Sequence, residues 1–224
     1  MGALPSEEKE RAPAPDPAKW NLLKQDIQRW RKHYAGSYRM ATTAREKKAV
    51  IDQARELLEH SLPEMMRCWL GTPWDFNGTA TTPGEGKIAC GYFVTTVLEA
   101  AGFRIERSQL AQQASQQILR TILPMEDLRI RVGIPYKTFR FETTRGRPGI
   151  YLMGLDTHVG FLVVKDQEFR FIHSSGSQPW CVVDEPSELA LVLERSNYRV
   201  LGNISANDEV IRRWLMEEKF PTQR

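Results

Sequence analysis

The chain reads as an α+β fold, an antiparallel sheet packed against helices, because its apolar period is helical over the first half and shortens to two residues from Ile130 onward. Two further observations attach chemistry to that division. Cys90 opens the apolar run Cys90-Gly91-Tyr92-Phe93-Val94-Thr95-Thr96-Val97-Leu98, and two of the four histidines, His158 and His173, fall on strand-like runs that follow it. With 224 residues, 41% of them hydrophobic, the chain has the size of one mid-sized domain plus an accessory segment rather than two full domains.

The elements follow in order. Residues 1–18 combine repeated prolines with charges and have almost nothing to bury, which predicts a disordered or extended lead-in. Trp20, Leu23, Ile27 and Trp30 then recur at helical spacing with Lys24, Gln25, Arg29 and Arg31 opposite, and the tryptophans read as core contacts. Within 41–62 the stripe Val50, Ile51, Ala54, Leu57, Leu58 and Leu62 predicts a second helix, with Pro63 ending it and starting the next. Residues 19–65 are thus expected as a helical segment that braces the domain over 66–224 and lines or covers its cleft. The stretch 71–86 is too rich in glycine, proline and threonine for regular structure, yet it carries Trp74 and Phe76.

The Cys90 helix presents Phe93, Val94, Val97, Leu98 and Ala101 along one face, with Gly102 placed for the left-handed conformation at its end. Its β-branched residues weaken intrinsic helicity, so burial must hold it. A further amphipathic helix is predicted over 109–123, capped by Ser108 and ended by Pro124. Strands are predicted over 150–153, 158–165, 168–173 and 180–183 as an antiparallel meander, followed by a helix over 186–194, a strand over 198–204 and a helix over 208–219.

Composition excludes several classes. The net charge of +3 comes from mixed signs spread along the chain and does not argue for nucleic acid. No run of about 18 uncharged apolar residues suggests a membrane span, and residues 1–30 lack the apolar stretch of a signal peptide. The proline-rich start suits a linker left after removal of an export signal, which favours a periplasmic or secreted protein and leaves a cytoplasmic one open. The three cysteines, Cys68, Cys90 and Cys181, are odd in number and far apart, fitting neither a disulfide framework nor a zinc site. Cys68 and Cys181 read as packing residues, and His33 and His60 as solvated on charged helices.

Thiol chemistry fits the remaining trio. At a helix N-terminus, the Cys90 sulfur faces unpaired N–H groups and the positive end of the macrodipole, which favour a thiolate, and Gly91 beside it leaves room for substrate. Alternation puts His158, Gly160 and Leu162 on one strand face, with open space at Gly160 next to the imidazole. His173 shares a face with Phe171 and Phe169, and a hairpin at Asp166-Gln167 would bring the two histidines together so that one orients the other.

These residues resemble the NlpC-type cell-wall peptidases, a branch of the papain-like superfamily. The segment Gly71-Thr72-Pro73-Trp74-Asp75-Phe76-Asn77-Gly78 is similar to the family's Gly-Thr-Pro-Tyr-x-Trp-Gly-Gly, Cys90-Gly91-Tyr92-Phe93-Val94 to its Cys-Ser-Gly-Phe-Val, and His158-Val159-Gly160-Phe161-Leu162-Val163 to its His-Val-Gly-Ile-Tyr, with Phe171-Ile172-His173-Ser174-Ser175 completing the set. The resemblance covers about 70–175 and implies a papain-like NlpC-type fold. It implies Cys90 as nucleophile, His158 as general base and His173 as its orienting partner, cleaving amide bonds in peptidoglycan stem peptides through a thioester without metal or cofactor. Trp74, Tyr92 and Asp75 are the candidates for substrate and oxyanion contact. Ala89 stands where the family usually has Asp, and Trp74 where it has an oxyanion-donating tyrosine, so a divergent specificity is expected. Two other readings remain: an acyltransferase or amidase/deamidase of the same fold acting on a non-wall, peptide-like substrate, and a peptide- or glycan-binding module whose nucleophile site has decayed. Oligomeric state is not legible in the sequence.

Overall fold

A computed structural model describes residues 13–222. Most of the expected lead-in, 1–12, lies outside the described residues. The first helix, α1 (Pro17–Met40), starts within the remainder: Asp16 caps it by accepting from the Lys19 N–H, and Pro17 occupies its first turn. Trp20 and Ile27 are buried, but Trp30 is 44% exposed and packs against His33 and Tyr34 on the outer face. The expectation that both tryptophans face the core therefore holds for Trp20 alone.

Helix α2 (Ala44–Arg67) opens with a capping box between Thr43 and Glu46 and runs straight through Pro63. Proline forfeits one backbone N–H bond there. Complete burial of Leu62, Met65 and Met66 around it offsets that loss, so the break expected at Pro63 does not occur. A chain of edge-to-face rings, Trp20 to Trp69 at 5.4 Å and Trp69 to Phe93 at 6.3 Å, carries the core of these helices into α3 (Cys90–Ala100). One continuous apolar core thus joins α1 and α2 to the sheet.

Helix α3 buries Phe93, Val94, Val97 and Leu98 completely and ends where Gly102 takes φ +100°. The single helix expected over 109–123 is two, α4 (Arg107–Ala111) and α5 (Ser115–Ile122). Nothing in the local sequence breaks it. The division is tertiary: α4 leans on α3 through the Ala111 carbonyl, whereas α5 starts with Ser115 donating its hydroxyl to Leu155 O, and one straight rod cannot meet both supports.

The sheet comprises β1 (Arg129–Val132), β2 (Gly149–Leu155), β3 (Val159–Lys165), β4 (Glu168–Ser174), β5 (Val182–Pro186) and β6 (Tyr198–Asn203), in the order β1-β6-β2-β3-β4-β5, antiparallel throughout. The hairpin between β3 and β4 turns at Asp166 and Gln167, both with positive φ, and pairs Lys165 with Glu168 as the sequence predicts. Helix α6 (Tyr136–Thr144) was not foreseen; with α7 (Leu191–Arg195) it belongs to a second apolar cluster, built on Phe139, Leu162, Phe169 and Phe171, while α8 (Asp208–Leu215) joins the first. Helices cover both faces of the sheet, which is why β2 is buried along its whole length. Among the described residues no helix is long and apolar enough to cross a membrane.

Candidate active site

The loop before α3 is tightly organised despite its composition. Gly71 N–H donates to Val182 O at 2.9 Å, Val182 N–H to Thr72 O at 2.9 Å and Trp74 N–H to Trp180 O at 2.8 Å, so the loop is zipped onto the chain entering β5. Ser174, at the end of β4, donates its hydroxyl to Ile88 O at 2.6 Å, tying the His173 strand to the residue two before Cys90. These bonds place the start of α3 at the sheet end that carries both histidines. Gly91 lines both cavities beside Cys90 and also serves packing: a Cβ there would lie 2.2 Å from the Ala111 carbonyl oxygen, so glycine is what allows α4 to close on α3.

His158 follows the turn that closes through Leu155 N–H to His158 O at 2.8 Å and immediately precedes β3. Its Nε2 lies 2.7 Å from His173 Nδ1, and His173 Nε2 lies 3.0 Å from Glu185 Oε2. Phe171 stacks on the His173 ring at 4.2 Å and fixes its plane. The open space expected at Gly160 is filled, since a Cβ there would meet His173 Cβ and Phe171 at 2.7 Å. Glycine makes room for the histidine pair, not for a ligand.

Glu185 completes the relay and sequence reasoning missed it. The expected strand over 180–183 stopped short, whereas the observed strand β5 continues to Pro186 and sets Glu185 opposite Phe171 and Val183 opposite His173. The only available signal was an acidic residue inside a strand-like run. An ionised carboxylate only accepts, so His173 carries its proton on Nε2 and accepts at Nδ1. His158 must then donate from Nε2, which leaves its Nδ1 lone pair free as a base.

The thiol and imidazole both favour their neutral forms. Burial pushes the Cys90 thiol above its ordinary value, with the backbone of Val159, Gly91 and Cys90 itself pulling the other way. Burial, then the neighbouring His173, lowers His158 to about 3. His173 is lowered by burial against the opposing pull of Glu185. Burial thus outweighs the downward pull of the N–H groups at the helix N-terminus, and the lowering expected from the sequence is not the net direction. Cys181 is likewise raised by burial, and Cys68 is raised to about 11.

Cys90 and His158 sit where two cavities meet. The larger, about 800 Å³, is walled by Trp74, Phe76 and Tyr92; the smaller, about 400 Å³, holds Asp156, Gln116 and Tyr198. Trp74 and Tyr92 are thus brought to the cavity that Cys90 lines. Asp75 is not: its carboxylate accepts from the Asn77 N–H and pairs with Lys87 at 3.2 Å in a separate shallow groove. None of the residues lining either cavity belongs to α1 or α2, so the N-terminal helices do not line the cleft as expected; they support α3 from behind. Cys68 is buried, while His33 and His60 are solvent-exposed. Among the described residues no group of three or more His, Cys, Asp or Glu side chains is arranged to hold a metal. Compared with known families, curated proteins and solved structures, the chain matches none.

Proposed function

We propose that the chain is a cysteine hydrolase of papain-like, NlpC-type fold that cleaves amide bonds of peptide-like substrates, peptidoglycan stem peptides in the first instance. The observation that carries this reading is the relay His158–His173–Glu185, with contacts of 2.7 and 3.0 Å, placed at the cavity into which a helix N-terminus presents Cys90. In this mechanism His158 Nδ1 takes the thiol proton as sulfur attacks the carbonyl, and returns it to the leaving amine. Because both groups rest neutral, proton transfer accompanies attack instead of preceding it. The N–H groups of the first turn of α3, which have no intrahelical acceptor, and the Trp74 indole N–H are the donors at hand for the oxyanion. Water then cleaves the thioester with His158 again as base.

Incubation with purified muropeptides should release new free amines, and Cys90→Ala should abolish the release while the melting temperature holds. Absence of product from every wall source tested would remove the wall substrate from this reading.

A further inference from the structure

We propose that the larger cavity beside Cys90 is a subsite for an uncharged, ring-bearing group, recognised by stacking. This rests on the hydrolase reading for its position in a reaction, but its support is separate. Among the described residues, no ionisable side chain other than Cys90, Tyr92 and His158 lines the roughly 800 Å³ space. Two charged side chains next to its wall are engaged elsewhere. Asp75 faces Lys87 in its own groove, and Arg107 lies under the Tyr92 ring, 4.9 Å from its centroid, donating to Thr96 Oγ1 and to the carbonyls of Thr79 and Ala80. A ligand carrying a formal charge would lose water there and find no counter-ion among the described lining residues.

Flat apolar faces are what the cavity offers instead. Trp74 lies over Gly176 and is backed by Trp180 at 5.4 Å; its indole N–H donates to no protein acceptor among the described residues. Phe76, at the rim, is 80% exposed, a costly position for a phenyl ring unless something covers it. Tyr92 is held from below by Arg107 and at its hydroxyl by Gln112 Nε2 at 3.3 Å. Neutral hydrogen-bonding groups, Asn77, Thr157 and Ser177 among them, complete the wall. Aromatic faces interleaved with amides and hydroxyls suit a ring with an apolar face and polar edges, which describes an aromatic side chain or a pyranose sugar. The other half of the cleft differs in kind, since Asp156 stands there with its carboxylate accepting from the N–H groups of Asn197 and Tyr198.

The test uses Cys90→Ala protein, so that binding is read without turnover, and two matched probe pairs followed by saturation-transfer NMR. The neutral members are N-acetylphenylalanine amide and N-acetylglucosamine; the ionised counterparts, measured at a mildly acidic pH that keeps the amine protonated and the benzoate ionised, are N-acetyl-4-carboxyphenylalanine amide and glucosamine. At least one neutral probe should bind about tenfold or more tightly than its ionised counterpart, and Trp74→Ala should weaken it by about tenfold. Which neutral probe binds distinguishes a side chain from a sugar. Equal binding of charged and neutral members, binding indifferent to Trp74→Ala, or no neutral binding at all overturns the proposal. Muropeptide cleavage without neutral-ring binding leaves the hydrolase reading and removes this one; ring binding lost in Trp74→Ala, with no wall substrate cleaved, does the reverse.

Discussion

Replacing Glu185 by glutamine tests the relay where the sequence was silent. The carboxylate accepts from the Nε2 proton of a histidine that is 1% exposed, and that bond dictates which nitrogen of His158 is left free. A glutamine amide can present either its oxygen or its NH2 to His173, so the tautomer is no longer dictated. Where the amide donates to His173, the His173 proton moves to Nδ1 and His158 carries its own on Nδ1, where it cannot act as base. A hydrogen bond to a charged group contributes about 1.5–3 kcal/mol, which translates to a loss of roughly 10- to 150-fold in a rate that depends on it. The readout is alkylation of Cys90 by iodoacetamide across pH 5–9, because it requires no identified substrate. Glu185→Gln should lower the rate at neutral pH and displace its pH profile, with Cys68 and Cys181 unaffected. An unchanged profile in a variant that melts with the wild type would show that Glu185 does not position the histidines.

Other outcomes follow from the same geometry. Gly160→Ala forces a methyl to within 2.7 Å of His173 Cβ and Phe171, so it should cost about 1–3 kcal/mol by urea denaturation and slow Cys90 alkylation; a neutral effect on both would contradict the packing. Gly91→Ala sets a Cβ 2.2 Å from a backbone oxygen that cannot swing away, and circular-dichroism melting should register a larger loss than at Gly160. His158, about 3 when folded against 6.5 unfolded, binds fewer protons in the native state, so stability rises with pH across that window. Lowering the pH from about 6.5 toward 3 should therefore erode stability by roughly 1 kcal/mol per unit from this group, and His158→Gln should flatten the acid limb of the stability curve; an identical slope in the variant refutes the assignment. Trp20→Ala, which empties a fully enclosed site against Trp69, should destabilise the whole chain in one transition by about 3–5 kcal/mol, whereas a separate early transition would mean that α1 folds apart from the sheet.

What the sequence determined by itself is the part set by local periodicity and turn chemistry. The α+β class, the antiparallel β3–β4 hairpin at Asp166-Gln167, the left-handed Gly102 and the buried stripes of α2 and α3 all follow from spacing that the backbone enforces within a few residues. The meeting of His158 with His173 was legible for the same reason, since a two-residue turn fixes register and register fixes which side chains face each other. Tertiary structure decided the rest, because those outcomes depend on partners far away in the chain. Pro63 stays helical because its surroundings bury it, and 109–123 bends because its two ends rest on different supports. Tyr136–Thr144 forms a helix although its aromatic and β-branched residues suit a strand, its Phe139 finding a second core beyond the sheet. The same holds at the site: Gly160 accommodates protein rather than ligand, Asp75 turns to Lys87, and Glu185 comes behind His173 only through the β4–β5 register. Spacing along the chain selects which groups can meet, but the desolvation that keeps Cys90 and His158 neutral exists only once the layers have closed over them.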